Sequence, residues 1–175
     1  DNDGHPDIAA AGTLSTVSLF TSGLTDLGIS STASTTLAPS GSAMISLATG
    51  DINKDGLMDI VGITSAGVVG WYRNTGTVSG AITFANFASW TTLTGGIGKS
   101  VAVGDVNNDG NLDIIAGGGT RVVFIQQNSG TFSSSTNVTT TLVGPLNSIA
   151  LGDINGDGRL DIVETAGITA AWFRN

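Results

Sequence analysis

One acidic pattern returns along this chain at a nearly constant interval, and that confines the fold to a tandem array of small, similar units. In full it reads Asp51-Ile52-Asn53-Lys54-Asp55-Gly56-Leu57-Met58-Asp59-Ile60. It recurs from Asp105 to Ile114 and from Asp153 to Ile162, and a truncated copy, Asp1-Asn2-Asp3-Gly4-His5-Pro6-Asp7-Ile8, opens the chain. From Asp3 to Asp55 is 52 residues, from Asp55 to Asp109 is 54, and from Asp109 to Asp157 is 48. Periods of about 50 residues belong to propeller blades or related β-arrays, in which each unit is a small antiparallel sheet.

The pattern places oxygen-bearing side chains at loop positions 1, 3, 5 and 9, with a Gly at position 6 for a sharp turn and a backbone carbonyl available at position 7. That is the donor set of a hard divalent cation. Asp, Asn and Gly are also ordinary turn residues. Turn chemistry, however, does not require an Asp three residues after the Gly and immediately before an apolar strand. Calcium is the expected ion, because magnesium keeps several waters and accepts all-protein cages poorly. In the first copy Asp1 aligns with Asn53, so the position-1 carboxylate is missing, and His5 takes the carbonyl position. Three complete sites and a weaker fourth are expected.

Charge agrees with this reading. Of the 14 acidic residues only Asp26 and Glu164 lie outside the four copies, and the formal charge is −8. Carboxylates crowded into one loop repel unless a cation sits among them. Nucleic acid is an unsuitable partner, since the 6 Lys and Arg are scattered with no basic stripe. The chain has no cysteine, which leaves metal as the only visible staple. No apolar run approaches the ~20 residues of a membrane span. Calcium loops of this kind suit the millimolar calcium outside cells, so an extracellular or cell-surface setting is expected. With the loop carboxylates set aside, Asp26, Glu164, His5, the lysines and Tyr72 form no acid/base or nucleophile constellation, and no enzymatic activity is expected.

Short apolar stretches bounded by Gly, Asn and Ser predict an all-β protein, one β-repeat domain over residues 1–175. Each unit reads as four strands. Strand A enters the loop (Ile45 to Ala48, Val101 to Val103, Ile149 to Leu151), and strand B leaves it (Ile8 to Ala11, Ile60 to Ile63, Ile114 to Ala116, Ile162-Val163). Strand C follows a Gly-rich turn (Val17 to Thr21, Val68 to Arg73, Arg121 to Gln126, Thr169 to Arg174), and a Thr-rich strand D lies outermost, as in Thr139 to Val143. The blades fall at about 1–42, 43–97, 98–145 and 146–175, giving three and a half to four repeats, the first without strand A and the last without strand D. Such open edges need cover: further chain, a strained four-bladed closure, or strands from a neighbouring molecule.

The segments Gly-Asp-x-Asn-x-Asp-Gly-x-x-Asp-Ile at 50–60, 104–114 and 152–162, with Val-Gly-Trp71-Tyr72-Arg73-Asn74 in strand C, resemble the FG-GAP/VCBS repeat family of calcium-loop β-propellers. That resemblance implies cation ligands Asp51, Asn53, Asp55, Asp59 and the Leu57 carbonyl. It implies Asp105, Asn107, Asp109, Asp113 and the Asn111 carbonyl in the next loop, then Asp153, Asn155, Asp157, Asp161 and the Arg159 carbonyl. In the truncated loop the equivalents are Asp1, Asp3, Asp7 and the His5 carbonyl. It further implies a role in adhesion, recognition or assembly of a surface structure or fibre. The strand count adds the expectation of a protein partner or self-assembly at the incomplete blades. A carbohydrate-binding propeller, or an accessory module of a polysaccharide-active enzyme, is the alternative, with a glycan as partner. Trp71, Tyr72, Trp172 and Phe173 are expected to pack between blades, whereas Trp90 breaks the repeat and reads as a surface contact. Arg73 and Arg174 are matched with Gln127 in the third copy, and Asn137-Val138-Thr139 is a glycosylation sequon.

Overall fold

The computed structural model describes residues 6–12, 15–22, 35–37, 40–78, 81–94, 97–128, 131–132, 136–138 and 144–175. Every regular element among them is a β-strand. The first sheet is the meander β1 (Ile8–Ala11), β2 (Val17–Phe20) and β3 (Thr35–Leu37). The second has β4 (Met44–Gly50), β5 (Asp59–Thr64) and β6 (Val68–Tyr72), then a separate hairpin of β7 (Asn74–Val78) and β8 (Ala81–Phe84), and closes with β9 (Ala88–Thr92) beside β6. The third repeats this plan as β10 (Ser100–Gly104), β11 (Asp113–Gly118) and β12 (Arg121–Ile125), the hairpin β13 (Gln127–Asn128) with β14 (Thr131–Phe132), and β15 (Thr136–Val138). The fourth is β16 (Leu146–Gly152), β17 (Asp161–Ala166) and β18 (Thr169–Phe173). All pairings are antiparallel, and strands A to D of the repeat follow one another across each sheet as expected.

Why the sheets stack follows from strand B. In β5 and β11 every residue is buried, so both faces of the strand are covered by neighbouring sheets. Val61 and Ile63 on one face of β5 meet Val101, Ile114, Val123 and Ile125 of the third sheet. On the other face Ile60, with Met44 and Tyr72, meets Val17, Leu19 and Leu37 of the first. Ile115 and Val122 of the third sheet meet Leu146, Ile149 and Ile162 of the fourth in the same way. Each such fully buried Val, Leu or Ile stabilises the stack by about 1.5–3 kcal/mol. The innermost strands lie side by side, with β10 between β4 and β16. The outcome is a propeller-like series of blades joined by three apolar seams.

The Gly of the first two Gly-Asp pairs is set by this stacking. A Cβ on Gly50 would come within 2.8 Å of Leu112 Cδ1, and one on Gly104 within 2.7 Å of Leu160 Cδ1, so the next sheet's loop can close only over a glycine.

The two extra hairpins were not expected. They lie between strands C and D, and they clasp the preceding sheet: β8 touches β3, and Phe132 of β14 packs on the aromatic rings of the second sheet. Trp90, expected at the surface, instead stands 3.9 Å from Phe132 and 5.6 Å from Trp71, centroid to centroid. Two large rings lie half-buried beside it, and together they shield it from water. The matching of Arg73 and Arg174 to Gln127 is also corrected. Pairing of Ile60 with Tyr72, Ile114 with Ile125 and Ile162 with Phe173 makes Gln126 their equivalent, and places Gln127 with Asn74 and Asn175. Thr139 to Val143 and Asp26 lie outside the described residues.

Candidate metal centres

Each A–B hairpin presents its acidic loop at one end of the sheet, and the three complete loops share one hydrogen-bond frame. The position-1 carboxylate braces the turn: Asp51 accepts from the backbone N–H of Asp55 at 3.0 Å and of Gly56 at 2.9 Å. Asp105 does the same with Asp109 and Gly110 at 3.0 and 2.8 Å, and Asp153 with Asp157 and Gly158 at 3.0 and 2.8 Å. At position 3, the Asn53, Asn107 and Asn155 carbonyl oxygens accept from that same position-5 amide at 3.2, 2.9 and 2.8 Å. Oxygens from positions 1 and 3 therefore sit side by side over one N–H. At position 5, Asp55, Asp109 and Asp157 accept from the N–H of Leu57, Asn111 and Arg159 at 2.9, 2.8 and 3.1 Å. This wrapping needs left-handed backbone at position 4, where φ is 60° at Lys54, 55° at Asn108 and 74° at Gly156.

Position 9 behaves differently. Asp59, Asp113 and Asp161 are fully buried. One oxygen of each accepts from the loop's position-2 amide, at Ile52 (3.0 Å), Val106 (3.2 Å) and Ile154 (3.1 Å). The other accepts from the second residue past the end of strand C, at Asn74 (2.8 Å), Gln127 (3.0 Å) and Asn175 (2.8 Å). One buried carboxylate thus ties the loop to the third strand of its own sheet. In the truncated copy Asp7 is exposed and keeps the bond to the strand-C side, accepting from Ser22 N–H at 3.0 Å, while Asp1, Asp3 and His5 lie outside the described residues.

Electrostatics divides the acids accordingly. Burial pushes the Asp59 carboxyl up to about 6, with the Asn74 and Ile52 amides pulling the other way and Asp55 and Asp51 adding repulsion. Burial raises Asp113 likewise. Two of the exposed position-5 acids are held below their ordinary value, Asp109 first by the Asn111 amide and Asp157 first by the Asn155 side chain. Among the described residues no three His, Cys, Asp or Glu side chains are gathered as a ready cluster. The loop oxygens face backbone amides. Each still has lone pairs free, since a carboxylate offers about four acceptor sites. An all-oxygen set of three carboxylates, an amide and a carbonyl around a pre-bent turn fits calcium, and it offers no nitrogen or sulfur for a transition metal.

The residues after strand C were missed in the sequence. They are Asn74, Gln127 and Asn175, each 14 or 15 residues beyond the position-9 Asp. Their amide side chains also bind loop carbonyls. Asn74 Nδ2 donates to Met58 of its own loop at 3.1 Å, whereas Gln127 Nε2 reaches Ile52 and Asn175 Nδ2 reaches Val106, both in the loop of the preceding sheet. The recurring carboxamide at one repeat position was the signal. Arg174 adds a surface ion pair to Asp157 at 3.3 Å, a contact worth little in water.

A cavity of about 590 Å³ lies between the first and second sheets, where Ala9, Leu19, Met58, Ile60 and Phe84 supply apolar walls and Asp7 and Asn74 polar ones. Among the described lining residues Phe84 is the only aromatic one.

Repeated antiparallel blades stacked through apolar seams, each with an acidic loop clipping its A–B hairpin, define a propeller-type β-repeat protein. The model of the FG-GAP-like repeat matches residues 1–62, 51–116 and 114–164, and the chain belongs to the FG-GAP-like repeat family. No curated protein matches the sequence. Repeats of this family are typical of extracellular, adhesion-type β-propeller-like modules. No helix among the described residues is long and apolar enough to cross a membrane.

Proposed function

We propose that this chain is a non-enzymatic, calcium-stabilised extracellular repeat protein that builds or decorates a surface structure, through adhesion, recognition or assembly. The observation that carries this reading is the identical bracing of the three loops, in which residues 51–59, 105–113 and 153–161 hold equivalent oxygens over equivalent amides. Asp51, Asn53, Asp55, Asp59 and the Leu57 carbonyl would hold one ion, with their counterparts in the other loops holding two more. The cation would neutralise carboxylates that otherwise repel, and so support folding in a chain without disulfides. Isothermal titration of the chelator-stripped protein tests it. Three tight calcium sites and at most one weak one are expected, with a melting temperature that rises with calcium. Absence of binding heat, together with a melting curve unchanged by excess chelator, would remove the calcium reading.

A further inference from the structure

The first and fourth sheets each expose half of a seam that the molecule has already built internally. Between the second and third sheets, the outgoing half consists of a glycine ahead of the loop, an apolar residue at loop position 2 and a large ring in strand C: Gly50, Ile52 and Trp71. Between the third and fourth sheets the corresponding residues are Gly104, Val106 and Phe124. The fourth sheet carries the same set as Gly152, Ile154 and Trp172, with no other sheet among the described residues packed on it. Ile154 is 55 % exposed, where Ile52 is 0 % and Val106 8 % exposed, and Trp172 is 46 % exposed. The space over Gly152 holds only Ile154 of its own sheet, where Gly50 and Gly104 receive the leucines of the next loop.

The complementary half lies on the first sheet. Its strand-B residue Ile8 is 42 % exposed, while Ile60, Ile114 and Ile162 at the same repeat position are 3, 0 and 7 % exposed. Phe20, paired with Ile8, stands where Tyr72, Ile125 and Phe173 fill the internal seams.

We propose that the outgoing face of the fourth sheet binds the incoming face of the first sheet on a second copy of this chain, continuing the stack head to tail. This deepens the assembly arm of the proposed function and rests on it; the loops' metal is a separate question. The occupant is specified by continuity with the internal seams. They show which residue types belong opposite Ile154 and Trp172, and the first sheet carries them. Because the two faces are different patches on one molecule, the contact is heterologous, and it propagates unless a rotation closes it. Burying an exposed Trp and two Ile supplies an apolar core of the kind that dominates binding energy.

Sedimentation velocity on the purified chain in saturating calcium provides the test, using wild type, Ile8→Arg and Trp172→Arg. Both side chains are a little under half exposed, and unchanged circular dichroism and melting curves check that the variants fold. The wild type should gain mass steadily with concentration. Each variant alone should stay monomeric over at least a tenfold higher range, because each retains only one working face. Mixed in equal amounts, the two should form a dimer and stop there, since each supplies the face that the other lacks. Gly152→Val, placed where the isolated chain has open space, should weaken assembly as Trp172→Arg does. Variants that assemble like wild type, or a mixture that stays monomeric, overturn the stacking surface and leave an assembly role standing. A wild type that is monomeric at every concentration overturns both, and assigns these faces to ring closure or to another partner.

Discussion

Replacing Asp113 by Asn separates the structural work of the position-9 carboxylate from any work as a ligand. Asp113 is fully buried and accepts from Val106 N–H at 3.2 Å through one oxygen and from Gln127 N–H at 3.0 Å through the other. An Asn keeps one acceptor and turns an NH2 group toward the second amide, which then has no partner. A hydrogen bond to a charged acceptor contributes about 1.5–3 kcal/mol, and a buried donor left unsatisfied costs a similar amount. The expected loss is therefore about 2–3 kcal/mol without any metal. In a chain of this size each kcal/mol moves the melting temperature by about 2–4 °C, so a drop of roughly 5–10 °C is expected in excess chelator. The control is Asp109→Asn, whose carboxylate lies at the exposed turn and should leave the chelated melting curve in place. In saturating calcium both variants should melt below wild type. If Asp113→Asn melts within about 1 °C of wild type in chelator, the tie between loop and strand C is not what position 9 provides.

Three further outcomes follow from the buried acids and the seams. Burial lifts Asp59 to about 6 from an ordinary 3.8 and raises Asp113 and Glu164 as well. Groups raised on folding take up protons as the chain folds. Their contribution in the metal-free protein is full below about pH 4 and is lost as pH rises through about 6. Urea midpoints in chelator should thus be higher at pH 4.5 than at pH 7, and the order should invert in calcium, where protons compete with the ion. Glu164 is buried with neither carboxylate oxygen hydrogen-bonded, at a repeat position that holds Gly62 in the second sheet and Ala116 in the third. Glu164→Ala should therefore raise the neutral-pH melting temperature by a few degrees, and a lower value would show that the carboxylate has a partner in solution. Gly104→Ala forces a Cβ to within 2.7 Å of Leu160, and should cost about 1–3 kcal/mol in a denaturant titration. Gly152→Ala, in open space, should cost far less.

Strands A and B were legible because the loop brackets them: the residues before Gly-Asp alternate, and those after Asp-Ile form a short apolar run of the kind a strand covered on both faces carries. Strand C followed from the glycine turn and the aromatic pair Trp71-Tyr72. The hairpins at 74–84 and 127–132 were not legible, since Thr, Gly and Ser there carry no apolar alternation and gain their place by lying against the preceding sheet. Trp90 was misread for a related reason, as its ring is covered by Phe132 from another sheet, a contact of long sequence separation. The Gln126/Gln127 exchange came from two adjacent glutamines, which only the pairing of Ile114 with Ile125 distinguishes. At the loops the residue types were plain, but position 9 read as one ligand among equals. Its burial and its two backbone amides depend on where strand C ends, and no local pattern records that.

The carboxamides of Gln127 and Asn175 give the molecule a direction. Each belongs to one sheet but grips a carbonyl in the loop of the sheet before it, Ile52 and Val106 respectively. A loop's shape is thus completed from downstream, so loosening one blade slackens the loop behind it and leaves the loop ahead braced. Arrays governed by nearest-neighbour coupling open in sequence rather than all at once. Under tension such a chain would yield blade by blade from the side where the grip is absent, and would behave as a ratchet rather than a uniform spring.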